Sequence, residues 1–338
     1  MIVTIIVAIL IFGVLITAHE FGHFITARKS GITVEEFAIG MGPLICKKEK
    51  GGTLYTIRAL PLGGFCKMLG EDEAMDNVKG AFTSVHPFKR IIVLSAGAIM
   101  NFIVAIIIFF GMFCISGNQA TTTIEFVAPE SVAYSAGIEV GDTITQINGV
   151  EITEWEQLTT LVKRGDGSEV EIVVEKGDGE FATYTLIPEY DEEQDGYIMG
   201  VSAKMTLNIF TALADSFKMV WTYIVATVKV FAGLFNGSYG LDQFTGPIGV
   251  TAVLNDYIPM GAVYVMNMAA AISVSLGFFN LLPIPALDGS RIVFTVIEWI
   301  KGSAISRKAE GMVHMIGFAV LMVFGLYIAF QDVVKFIL

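Results

Sequence analysis

The chain is 338 residues long, and 54% hydrophobic against 16% charged residues is more apolar than a water-exposed fold of that size requires. A net charge of −12 leaves no basic surface to neutralise phosphates, which excludes nucleic acid as a partner. Cys46, Cys66 and Cys114 are odd in number and lack CxxC spacing, so neither a disulfide framework nor a thiolate metal site is expected.

An apolar run from Met1 to about Ala27 comes first. No basic segment precedes it and no small-residue cleavage pattern follows, so it reads as a retained membrane span (1–27) rather than a secretion signal. Crossing the hydrocarbon takes ~20 apolar residues as a helix. Residues 28–90 are more polar. Within them TLYTIRALPLGGF is strand-like, with turn glycines, and is too polar to span; an ordinary cytoplasmic hairpin is one reading of it. A second, charge-free span covers 91–117. From 121 to 203 the composition turns soluble. Short alternating strands such as TITQIN and EVEIVVE are punctuated by Gly141-Asp142, Asn148-Gly149 and Gly177-Asp178, and a helix is expected from Glu154 to Lys163.

The apolar stretch 207–236 carries Asn208, Thr211, Asp215, Lys218, Thr222 and Lys229 at steps of three, four and seven, which is one narrow polar stripe on a helix. That pattern predicts an amphipathic helix lying in the outer interface. The rival, a fifth span, would put Asp288 on the opposite side from His19. A third span and the motif that follows it occupy 257–311, with the helix ending near Leu282, and a fourth span covers 311–331.

Charge bias gives direction. The segment from Arg28 to Arg90 holds 10 of the 21 Lys and Arg residues against 7 acids. Residues 117–256 hold 6 basic and 21 acidic residues, and the connection 283–310 holds 4 basic ones. The positive-inside rule places the first and third connections in the cytoplasm and the acidic one outside.

HEFGH, from His19 to His23, carries the chemistry. Residues four apart share a helix face, so two imidazoles can grip one zinc, while Glu20 stands beside them as a proton acceptor. An unused carboxylate and two imidazoles inside a span would be a liability of ~2.5 kcal/mol or more per charged group. A catalytic zinc takes three protein ligands and keeps one position open. His86 precedes Pro87 in a cytoplasmic connection, and His314 in the fourth span reads better as a hydrogen-bonded core histidine. Asp288 is the better candidate. It stands in NLLPIPALDG, where Pro283 and Pro285 interrupt the helix and leave irregular backbone that must line a cavity.

HEFGH, FAIGMGP (37–43), LPLGGFCKMLGE (60–71) and NLLPIPALDG (280–289) together resemble the site-2 protease family of intramembrane zinc metalloproteases. The likeness is to its bacterial RseP-like branch, which cleaves anti-sigma factors. The resemblance spans almost the whole chain with its motifs in order. It departs at Ala98, where the family often has proline, and at Phe65-Cys66, where Tyr-Val is more usual.

The resemblance implies a polytopic α-helical membrane protein of four transmembrane helices with a membrane-re-entrant β-hairpin. It implies Asp288 as the third zinc ligand beside His19 and His23, and Glu20 as the catalytic base. Asn280 would contact the substrate backbone, and the hairpin, including Gly63, Gly64 and Phe65, would present an edge strand to it. SAGIEVGDTITQINGVEITEWEQL resembles a PDZ domain of the bacterial protease type. The chain has room for one such domain where longer members carry two.

The expected activity is zinc-dependent cleavage of transmembrane segments of other proteins, such as anti-sigma factors or signal-peptide remnants, already shortened by another protease. The expected location is the plasma membrane, with the PDZ domain outside, able to bind a substrate C-terminus, and the active site toward the cytoplasmic half. Two rivals are a non-catalytic PDZ scaffold, which the four polar site residues speak against, and a metal transporter, which no inverted repeat or second metal cluster in the sequence supports.

Overall fold

A computed structural model describes residues 2–336 apart from 72–74, 76–77, 193–194, 241–243 and 304; Met1, which opens the first expected span, lies outside the described residues. In chain order come α1 (Ile2–Ser30), β1 (Val34–Lys50), β2 (Thr53–Met68), α2 (Pro87–Ser116), β3 (Gln119–Val127), α3 (Val132–Ala136), β4 (Thr143–Ile147), β5 (Val150–Glu151) and α4 (Trp155–Lys163). Then follow β6 (Val170–Glu175), β7 (Phe181–Leu186), β8 (Glu189–Asp191), β9 (Gly196–Ile198), β10 (Val201–Thr206), α5 (Ile209–Asn236), α6 (Pro247–Met260), α7 (Ala262–Leu281), α8 (Asp288–Lys301) and α9 (Arg307–Phe336). Two units divide them: residues 1–110 with 216–338, and Gly111–Asp215.

In the first unit the helices are inside-out relative to a water-soluble protein. Along α1 the buried face carries Thr4, Ala8, Leu15, His19, Gly22 and His23, at helical spacing. Ile2, Val3, Ile5, Ile6, Leu10 and Val14 face outward. Small and polar residues inward with bulky apolar ones outward is what a lipid surround selects. α2 lies between α1 and α7. Gly22 of α1 leaves no room for a Cβ against the Ala96 carbonyl, a Cβ on Gly277 of α7 would also crowd the Ala98 carbonyl, and Ser273 Oγ donates to the Asn101 carbonyl at 2.7 Å.

Five helices among the described residues (α1, α2, α5, α7 and α9) are long and apolar enough to cross a membrane. The additional one is α5, the helix expected to lie in the interface. Tyr223 stacks on Phe109 of α2 at 5.5 Å and donates to Asn267 of α7 at 3.1 Å, while Phe231 meets Phe278 and Phe279 of α7 at 6.2 Å. α5 therefore runs beside α7 in the same direction. Part of its polar stripe is used by protein: Thr211 and Asp215 both accept from the Asn118 amide at 2.8 Å.

The charge-free stretch before Asp288 also divides differently from expectation. Gly261, at φ +120°, ends α6, and α7 starts after it. α6 runs antiparallel to α1, with Val250 and Leu254 packed on Ala8 and Thr4 Oγ1 donating to Asn255 at 3.1 Å. Asp332 of α9 accepts the N–H groups of Gly246 and Gly249, at 3.2 and 2.9 Å, capping the start of α6 from another helix.

β1 and β2 form more than a hairpin. Segment 46–50 pairs with 53–57, 54–57 pair again with 36–39, and 36–39 pair on their other side with 64–67. Two bent strands thus make four segments: 36–39 and 54–57 run in the same direction in the middle, each antiparallel to its outer neighbour, and 64–67 is an edge. The bends fall at Gly40 and Gly63, whose φ of +85° and +93° other residues rarely adopt.

The second unit has its own core of Ile124, Ile144, Ile147, Leu158, Ile172 and Val174. Its sheet runs β10-β3-β4-β6-β7, with β5 paired to β4. The expected strands appear as β4 and β6, and Asn148-Gly149 makes the tight turn from β4 to β5 with both residues at positive φ. The helix expected from Glu154 is α4, and Glu154 caps it reciprocally with Gln157.

Candidate active site

The i, i+4 spacing on α1 brings the His19 and His23 rings to 4.8 Å between centroids, both buried. Asp288 arrives from the other end of the sequence as the first residue of α8. Its Oδ2 lies 3.0 Å from His19 Nε2 and 3.2 Å from His23 Nε2, and the two Nε2 atoms are 3.2 Å apart. Bonds of 2.0–2.2 Å in a tetrahedron put ligand atoms ~3.3 Å apart, so this triangle is the size of one face of a zinc site. His19, His23 and Asp288 are also the one His/Cys/Asp/Glu group among the described residues whose ligand atoms converge this way.

The far ring nitrogens support the same assignment. His23 Nδ1 is 2.8 Å from the Val93 carbonyl, which can only accept, so the proton sits on Nδ1 and the Nε2 lone pair points at Asp288. His19 Nδ1 lies 3.3 Å from the side-chain amide of the fully buried Asn101, whose Oδ1 has no partner among the described residues. Oxygen and nitrogen of an amide are interchangeable by a flip. The flipped rotamer lets Oδ1 accept from His19 Nδ1, which frees that Nε2 as well. Gly97 of α2 completes the cradle, since a Cβ there would collide with Nε2 of both histidines. Two neutral imidazoles and one carboxylate, with bulk excluded at Gly97, are a fitting donor set for zinc.

Glu20 is on the same turn as His19. Its carboxylate lies near the backbone N–H of Cys66, beside the edge segment 64–67. A cavity of about 370 Å³ lies there, lined among others by Glu20, His23, Phe65, Cys66 and Asp288. Arg291, one turn beyond Asp288, pairs with Glu71 at its rim.

Of the other residues singled out from the sequence, Gly64 sits against Glu20, and the Phe65 ring is 5.0 Å from the Arg58 guanidinium. Gly63 forms the bend before them. Asn280 donates to the Leu276 carbonyl of its own helix at 2.9 Å. His86 packs on Trp299 and accepts from Phe88 N–H, and His314 accepts from Ala286 N–H, so neither joins the triangle. Asn101, Gly97 and Arg291 were not singled out as site residues from the sequence. Asn101 had a signal: a side-chain amide in the middle of a charge-free span needs a buried partner.

Residues 7–324 match the model of peptidase family M50. A relative from Clostridium acetobutylicum that carries a zinc metalloprotease name is 35% identical over 337 residues, covering 98% of this chain and 97% of its own. Zinc metalloprotease RasP of Shouchella clausii is 29% identical over 416 residues (98% and 99%), and RasP of Geobacillus kaustophilus is 28% identical over 411 (98% and 97%).

Proposed function

The chain belongs to peptidase family M50, multi-pass membrane proteins that act as intramembrane zinc proteases, and from that premise we propose how its own residues do the work. His19, His23 and Asp288 hold the zinc, and Glu20 moves the protons. The observation that carries this is the triangle of ligand atoms at 3.0–3.2 Å with Glu20 on the same helix turn.

When bound, zinc supplies a Lewis acid that lowers the pKa of water and polarises the scissile carbonyl. Glu20 takes the proton of the attacking water and passes it to the leaving amine nitrogen. Asn101 and the Val93 carbonyl hold the two imidazoles in the tautomer that leaves Nε2 bare. The substrate is a membrane-spanning segment, of the kind found in anti-sigma factors or signal-peptide remnants. A helical backbone is closed to attack, so the segment must unwind locally. Edge segment 64–67, with Gly64, Phe65 and Cys66 along it, is suited to receive the extended chain by strand addition beside Glu20. Gly63 gives that segment its bend, and Asn280 near the end of α7 is the further contact for the substrate backbone.

The test separates base from ligands. Glu20→Gln should retain zinc in purified protein while cleavage of a single-span substrate falls at least ~100-fold, within the usual range for general-base loss. His23→Ala and Asp288→Asn should lower zinc content as well. A double variant of His23 and Asp288 with full zinc occupancy would overturn the ligand assignment.

For topology, α1, α2, α7 and α9 serve as the four complete crossings, and residues 28–90 form a membrane-re-entrant sheet. α5 descends from the outer side, and the shorter α6 returns beside α1, with Asn255 near Thr4. α7 thus starts outside, as the charge bias requires, and His19 and Asp288 meet toward the cytoplasmic half. Cysteines placed at Lys48 and Lys301 in a cysteine-free background should resist an impermeant thiol reagent in intact cells, and one at Glu192 should react. Labelling at 301 but not at 48 would require an odd number of crossings between them.

The second unit fits an extracytoplasmic PDZ domain. Its edge strand β10 and helix α4 flank an apolar groove of about 700 Å³, lined by residues including Trp155, Leu158, Val162, Met199 and Val201. A substrate trimmed outside by another protease would offer it a new C-terminus.

A further inference from the structure

Ala286 is a conformational exception. The other described non-glycine residues at positive φ are Glu130, Asn148 and Asp195; this is an alanine at φ +77°, two residues before Asp288. Left-handed backbone is disfavoured for any residue with a Cβ, and alanine has no polar side chain to compensate. The turns around it use the N–H groups of Ile284 and Leu287, which bond to the carbonyls of Leu282 and Ile284 at 2.7 and 3.1 Å. The N–H of Ala286 goes instead to another helix. It donates to Nδ1 of His314 on α9 at 3.0 Å. One turn along α9, Gly317 lies against Pro285 so closely that a Cβ would collide with it. The His314 ring also packs on Phe294 of α8, 5.8 Å between centroids. α9 thus grips the segment that delivers Asp288, with a flat contact at Pro285 and a directed one at Ala286.

We propose that His314 is a positioning residue for the zinc site: its Nδ1 holds Ala286 in the left-handed conformation that aims Asp288 at His19 and His23. The inference rests on reading Asp288 as a zinc ligand. An N–H donor requires a bare nitrogen, so the ring acts here as an acceptor with its proton on Nε2. Nε2 is buried and has no hydrogen-bond partner among the described residues. Nothing in the role therefore calls on His314 to bind metal or touch substrate. The bond to Nδ1 is what ties the Ala286 N–H to α9, so losing Nδ1 leaves the turn free to relax toward negative φ. Asp288 would move with it.

The experiment compares His314→Asn with His314→Leu in the full-length protein in detergent, reading zinc retention against a graded chelator and the melting temperature. Asparagine and leucine have nearly the same shape, but only asparagine offers an acceptor, Oδ1, near the place of Nδ1. His314→Asn should retain zinc like the parent, while His314→Leu should weaken retention by about 10- to 100-fold, the usual range for a partner behind a ligand. Adding Ala286→Gly to His314→Leu should restore much of the loss, because glycine takes positive φ unaided. Equal retention in the Asn and Leu variants, or no rescue by Ala286→Gly, would overturn the proposal and leave His314 a packing residue. Asp288→Asn runs alongside. If it retains zinc like the parent, the ligand reading fails; if it loses zinc while His314→Leu does not, only the positioning role fails. Should His314→Leu not fold, Ala286→Val in the parent background replaces it. A β-branched side chain is still less tolerant of positive φ, so zinc retention unchanged by that substitution would also count against the turn.

Discussion

The two halves of the zinc site are built in opposite ways. The histidine half comes from a single helix, where a repeat of four residues suffices to face two imidazoles together. The aspartate half comes from a loop with two prolines and a left-handed alanine, held by contacts from α9 about thirty residues later. Helical geometry is local and sits in the sequence as a spacing. A loop's geometry is set by whatever grips it, which spacing does not record. The histidine half should accordingly be sensitive to its orienting partners one at a time, and the aspartate half to its turn.

The largest effect is expected at Asn101. It is fully buried on α2, its backbone carbonyl already receives Ser273 Oγ, and its side chain has His19 Nδ1 at hand. Asn101→Leu keeps the shape and removes the orienting group, so His19 loses the partner that fixes its tautomer. Zinc affinity, measured by competition with a chelator, should fall by about 10- to 100-fold. Unchanged affinity would mean that the helix spacing alone orients His19, which would sharpen the contrast between the halves.

How much was legible follows the same division. HEFGH is read from spacing, and the helix at 154–163 and the Asn-Gly turn from the local residue pattern, and all three stand where expected. Asp288 was reached because two prolines cannot continue a helix and the backbone they free must line something. What eluded the sequence is non-local. The stripe on α5 suggested an interface, yet the Asn118 amide takes up Thr211 and Asp215. The double pairing of residues 36–39 arises from strands that bend at glycines and fold over, which alternation of side chains does not reveal. Asn101 and Gly97 matter through what lies opposite them, and a single helix does not state its neighbours.

The smallest effect concerns the boundary between the zinc site and the edge segment, at Cys66. The side chain is buried in a position where the resembling family more often has valine, and the backbone N–H lies near the Glu20 carboxylate. If the thiol mattered, Cys66→Ser would be costly. If the N–H is the working group, Cys66→Ser should leave cleavage within a few-fold of the parent, and Cys66→Pro should not. Proline removes the donor at an edge position, one of the few places in a sheet that tolerates it. A hydrogen bond to a charged group contributes roughly 1.5 kcal/mol at the lower end. Its loss should slow cleavage by about tenfold, since ~1.4 kcal/mol is a factor of ten. Zinc content should stay full in both variants, because Glu20 is not among the ligands. The measurement is the single-turnover cleavage rate of a single-span substrate with zinc content determined on the same preparation. Equal rates in the serine and proline variants would mean that Glu20 is aimed by its helix alone, and that the edge segment contributes only a surface for the substrate. A slow proline variant that also loses zinc would mean instead that the sheet supports the histidines, and that the two halves share more scaffolding than their different origins suggest.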